Sequence, residues 1–115
     1  MTHIYHITRS RDWQDAQRSG SYELSTCDRT LQEVGFIHCS YAHQAAGVAN
    51  AIYQGERDLV LLVIDPSRLT APLQLEPPAP GMEAYPHIYG PLNLDAVSQV
   101  LPYEPSADGT FDPPP

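Results

Sequence analysis

Three short segments set a histidine inside a β-branched and aromatic run: Ile4-Tyr5-His6-Ile7-Thr8, Phe36-Ile37-His38-Cys39-Ser40 and Pro86-His87-Ile88-Tyr89-Gly90. A neutral imidazole donates through one ring nitrogen and accepts through the other. Its charge changes near an unperturbed pKa of about 6.5, which suits acid or base work at neutral pH. Side chains alternate across a strand. His6 therefore shares a face with Ile4 and Thr8, His38 with Phe36 and Ser40, and His87 with Tyr89. If the three strands are neighbours, one cleft collects His6, His38, Ser40, His87 and Tyr89. Such a donor-rich, partly aromatic pocket suits a nucleotide or a sugar. Arg9, directly after the first run, is the cation placed to meet a phosphate. The plainer alternative is that each histidine is a packed residue bonded to backbone and that Arg9 is a surface charge.

Other chemistries find less support. Three imidazoles with one open position make a catalytic zinc site. No histidine pair here has the His-x-His or His-Glu-x-x-His spacing that chelates locally, so no metal is expected. Cys39 follows His38 but points to the other face, and it reads as a small buried hydrophobe. Asp12, Asp15, Glu23, Asp28 and Glu33 are scattered, and the glycines are isolated, so neither a carboxylate pair nor a phosphate loop stands out.

The elements that must position these residues follow from periodicity. Ile4 to Ile7 reads as a first strand, followed by a helix through Trp13, Ala16 and Gln17 that Gly20 ends. Tyr22 to Leu24 reads as a short strand, and Ser25 to Val34 as either a helical turn or a loop. A strand over Phe36 to Ser40 precedes the best helix, Tyr41 to Gln54. Leu59-Val60-Leu61-Leu62-Val63-Ile64 is apolar on both faces, the mark of a central, doubly covered strand. Further strands are expected at Leu73 and Leu75, at Pro86 to Pro91 and over Ala96 to Tyr103, with Glu76 to Gly81 a proline-rich loop. Two helices among this many strands indicate an α+β domain with a split or barrel-like sheet.

The chain has 115 residues and a formal net charge of -8, with twelve prolines. That length suits one domain, taken as residues 1–103, with 104–115 a disordered Pro-rich tail. The acidic balance opposes long nucleic acid as a partner. The apolar run Leu59 to Ile64 is far shorter than the roughly 18 residues of a membrane span. The first residues lack a signal-peptide pattern, so a cytoplasmic protein with free Cys27 and Cys39 is expected.

The three histidine segments, with Asp58-Leu59-Val60-Leu61-Leu62-Val63-Ile64-Asp65, Tyr85-Pro86-His87-Ile88-Tyr89-Gly90-Pro91-Leu92 and Leu94-Asp95-Ala96-Val97, resemble a bacterial family, domain of unknown function 952, over about residues 3–103. The resemblance implies an ADP-ribosyltransferase-like split β-sheet with NAD-type ligands in the cleft between its halves. It places His6 against the ligand ribose and His38 with Ser40 on the nicotinamide side, with His87 and Tyr89 in the late-strand motif. That motif ordinarily carries a glutamate. None lies within Pro86-His87-Ile88-Tyr89-Gly90, and Glu83 stands four residues before His87.

The expected function is a domain binding an NAD-like or phosphorylated-ribose nucleotide, with a glycosyl- or ADP-ribosyl-type transfer in reach. His38 and His87 are the catalytic candidates; His6, Arg9, Ser40 and Tyr89 are the ligand-binding ones. A nucleotide sensor without turnover and a small protein-interaction module using the Pro-rich tail are the alternatives.

Overall fold

The computed structural model describes residues 2–115. Six strands and three helices follow in the order β1 (Ile4–Arg9), α1 (Ser10–Ser19), α2 (Leu31–Val34), β2 (Ile37–His38), α3 (Ala42–Ile52), β3 (Leu59–Ile64), β4 (Leu73–Glu76), β5 (Tyr85–Ile88) and β6 (Val97–Tyr103). They form a mixed α+β fold with two three-stranded antiparallel sheets, ordered β1-β3-β6 and β2-β5-β4. The sheets meet at one antiparallel bridge, where Tyr5 and Ser40 exchange backbone hydrogen bonds of 2.7 and 2.8 Å.

β3 is the central strand of its sheet and is covered on both faces, as its unbroken apolar run requires. Leu62 and Ile64 pack with Ile4, Trp13, Tyr22, Ile37, Ile88 and Leu92. Leu59 and Leu61 pack with Ile7, Ala49, Tyr53, Tyr103 and Phe111. One core thus lies between the first sheet, α1 and the inner face of the second sheet; the other lies under α3. No helix among the described residues is long and apolar enough to cross a membrane.

Local chemistry explains the helices. α1 buries Trp13 and Ala16, three residues apart, and ends at left-handed Gly20, whose N–H bonds Ala16 O. The segment left open between helix and loop resolves through a capping box. Thr30 Oγ1 accepts from Glu33 N at 3.2 Å, and Glu33 Oε1 accepts from Thr30 N at 2.9 Å, starting α2. In α3 Gln44 plays the reciprocal part, accepting from Tyr41 N at 2.9 Å.

Two expectations need correction. Tyr22 to Leu24 forms no strand; it makes single bridges, Tyr22 to Leu92 and Leu24 to Thr30. The segment 104–115 is not a loose tail. Phe111 is 3% exposed in the core under α3. Its N–H donates to Asn50 Oδ1 at 2.7 Å and its carbonyl accepts from Asn50 Nδ2 at 3.1 Å. Tyr103 Oη donates to Asp112 O at 2.6 Å. One aromatic side chain, absent from the compositional argument, supplies the apolar area that docks this stretch.

Candidate functional site

β5 is the centre of the second sheet, and its register sets the site. His38 pairs directly with His87 across β2 and β5, and Gln74 pairs with His87 across β4 and β5. Alternation then puts Phe36, His38 and Ser40, Tyr85, His87 and Tyr89, and Gln74 and Glu76 on one face. The opposite face carries Ile37, Cys39 and Ile88 into the core. Gly90 ends this run at a close approach: a Cβ there would lie 2.8 Å from Ala71 Cβ.

On that outer face a carboxylate and two imidazoles form a chain. Glu76 Oε1 accepts from His87 Nδ1 at 2.8 Å, and His87 Nε2 lies 3.3 Å from His38 Nδ1. Tyr89 Oη donates to the same Glu76 oxygen. Hydrogen bonds from Tyr89 and His87 hold the Glu76 carboxyl below its ordinary range, so at neutral pH it is an acceptor only. With both imidazoles neutral, His87 Nδ1 carries a proton for Glu76, and His87 Nε2 accepts from His38 Nδ1. His38 Nε2 is then the lone pair at the end of the chain. Burial, with repulsion from His87 second, pushes His38 down to about 4. It is neutral at pH 7.

The chain opens on a groove of about 300 Å³ lined by Thr26, Val34, Phe36, His38, Ile52, Pro78, Tyr85 and His87. Its walls are mainly apolar and aromatic. Phe36 stacks on His87 with ring centroids 4.0 Å apart and planes 12° apart, and the His38 ring lies 5.2 Å from that of Tyr85. Among the described residues, no group of three or more His, Cys, Asp or Glu side chains is arranged to hold a metal ion.

The structure brings together His38 and His87, joins Tyr89 to them through Glu76, and sets Ser40 beside His38 in a small inner chamber. It does not bring His6 or Arg9 to the groove, which corrects the idea of one cleft for all five side chains. Because Tyr5 bridges Ser40, Tyr5 and not His6 shares the face of Ser40 and His38. A one-residue offset in register reverses which side chains face outward. His6 is 2% exposed on the inner side, donating from Nδ1 to His38 O at 2.7 Å and accepting at Nε2 from Tyr22 Oη at 2.6 Å. Burial dominates its pKa, pushed down to about 4, so it is a neutral structural residue that anchors β2 to β1. Arg9 is committed to Glu56 at 3.0 Å and Asp28 at 2.7 Å and lines a separate surface depression.

Glu83 is no substitute for a late-strand acid. Its oxygens bond Gln44 Nε2 at 2.6 Å and His43 Nε2 at 2.9 Å, at the start of α3. The acid that meets His87 is Glu76, which ends β4 and does not belong to the proline-rich loop expected from that residue. The alternation Leu73-Gln74-Leu75-Glu76 held the signal, since it puts Gln74 and Glu76 on one face. Only the β4–β5 register, with Gln74 opposite His87, turns it into a contact. Phe36 was visible as a face-mate of His38, whereas Tyr85 stands just before the strand expected from Pro86; neither was visible as a wall of the groove.

Comparison with known proteins fits this geometry into a family. The model of the family described as "Protein of unknown function (DUF952)" matches residues 7–100. Crystal structures of protein CC0527 from Caulobacter crescentus superpose with TM-scores of 0.84 and, for a double mutant of that protein, 0.83. Identity is 31% and 30%, covering 96% of this chain and 94% of that one. The solution structure of CC0527 gives a TM-score of 0.77 at 31% identity, covering 96% and 91% of the two chains. No curated protein matches the chain. With the family model spanning most of its length and a homologous structure superposing over nearly all of it, this chain belongs to the DUF952 family.

Proposed function

We propose that the groove binds the nucleoside part of an NAD-like or phosphorylated-ribose ligand and that the His38–His87 pair exchanges a proton with it. The observation that carries this reading is the Glu76–His87–His38 chain ending on an aromatic-walled groove. Flat π-faces favour a stacked base or nicotinamide ring, an interaction worth about 1–3 kcal/mol per base. The carboxylate lies behind His87, so its part is to hold the imidazole's orientation and stabilise its cation rather than to touch a sugar. No arginine among the described residues lines the groove, so recognition rests on stacking and imidazole hydrogen bonds, with the phosphate end outside. Two antiparallel sheets joined at a single bridge support an ADP-ribosyltransferase-like reading of the fold. A cytoplasmic setting and a small-molecule partner go with it.

Thermal denaturation with millimolar adenosine, nicotinamide riboside, NAD and ADP-ribose tests the proposal. A ligand at 100 times its Kd adds about 2.7 kcal/mol of stability, a rise of several degrees in Tm. We expect such a rise, and its loss in Phe36→Ala. No rise with any of the four, or a rise that survives Phe36→Ala, overturns the reading. A rise without nicotinamide release on long incubation with NAD marks a sensor rather than an enzyme.

A further inference from the structure

Ser25 stands out among the buried polar groups. It is 1% exposed, and its Oγ finds no hydrogen-bond partner in the protein. Burying a hydroxyl unpaired is costly. The side chain cannot easily turn outward, because its loop is pinned. Ser25 N donates to Arg29 O at 2.8 Å, and Tyr53 Oη accepts from Cys27 N at 2.8 Å and donates to Ile7 O at 3.3 Å.

Ser25 borders a chamber of about 10 Å³ with Tyr5, His38, Ser40 and Tyr53. That is close to the roughly 10–15 Å³ a single water needs, and several polar side chains surround it. His38 and Thr26 line both this chamber and the groove. The chamber therefore adjoins the groove along the imidazole that ends the Glu76–His87–His38 chain.

We propose that the chamber seats one water, held by Ser25 Oγ and within reach of His38, and that this water is the nucleophile for a hydrolysis in the groove. This rests on the nucleotide reading above. In the step, His38 takes a proton from the water as the water oxygen bonds to the anomeric carbon of the bound ribosyl group. The bond from that carbon to the base breaks, and its electron pair leaves with the base. When the base is the cationic nicotinamide of NAD, it departs neutral and needs no proton. His87 and Glu76 stabilise the proton gained by His38. Ser25 is a positioning residue: it touches the water, not the ligand.

The test combines Ser25→Ala with three readouts. A seated water makes Ser25→Ala destabilising, whereas an unpaired hydroxyl makes the same change stabilising, so the sign of the Tm change reads occupancy. The imidazole ¹⁵N signals of His38 should shift in Ser25→Ala, and the hydrolysis of NAD, followed as nicotinamide release, should fall at least tenfold while the NAD-induced Tm rise is kept. A higher Tm for Ser25→Ala, or unchanged His38 signals, removes the seated water. Undiminished hydrolysis removes the nucleophile role. If NAD binds neither protein but the Tm falls and His38 shifts in Ser25→Ala, the water seat stands and it is the nucleotide reading, and with it the nucleophile role, that fails.

Discussion

His6 has no spare nitrogen: one is spent on the His38 carbonyl and the other on the Tyr22 hydroxyl. The Tyr22 bond requires the neutral ring, since a protonated Nε2 cannot accept from Tyr22. The folded protein holds His6 down to about 4 against an ordinary value of 6.5, and burial lowers His38 to about 4 as well. The sign follows from linkage: the unfolded chain takes up protons below about 6.5 while the folded one does not, so stability is complete above that pH and falls as pH drops toward about 4. His6 alone accounts for on the order of 3 kcal/mol of this loss. Denaturant unfolding at about pH 7 and pH 5 should show the decline, and His6→Gln should flatten it. An equal pH dependence in His6→Gln would contradict the assignment. At this scale the sequence was half informative. Strand alternation correctly joined His38 to Phe36 and Ser40, and His87 to Tyr89. It could not say that Tyr5, rather than His6, is the residue opposite Ser40, because that parity belongs to a bridge between residues 35 apart in the chain.

Elements with a strong internal pattern were legible. The run Leu59 to Ile64 became the doubly covered strand β3, and the three- and four-residue spacing after Tyr41 became α3. What periodicity lacked was pairing. Glu76 joins β4 only because Tyr85 lies opposite it, and α2 exists through a two-residue cap rather than an apolar stripe. Composition misled at the C-terminal end, where proline and aspartate masked the role of Phe111. That ring contacts the core under α3 and is framed by Asn50 on both of its backbone groups. Phe111→Ala should cost on the order of 3 kcal/mol, the range for truncating a buried aromatic. Equilibrium denaturation measures it, and a change below about 0.5 kcal/mol, the usual effect of surface substitutions, would mean the segment 104–115 adds nothing to the fold.

Across the whole molecule, the candidate site lies near the seam of two sheets, where β2 leaves its own sheet to bridge β1. The inner face of each sheet goes to a common core, and the outer face of the second sheet carries the candidate site. The chain carries a net charge of -8, and among the described residues no arginine lines the aromatic slot. On the proposed reading it receives the flat ring of the ligand and leaves the phosphate end outside. Glu76, His87 and His38 form one hydrogen-bonded chain beside it. The most direct test follows the imidazole NMR signals while NAD or adenosine is titrated into the protein. Signals of His38 and His87 should move together and saturate, while those of His6, sealed on the other side of the sheet, stay in place. Saturable binding that leaves His38 and His87 unmoved, or that shifts only residues around Arg9, would contradict the account.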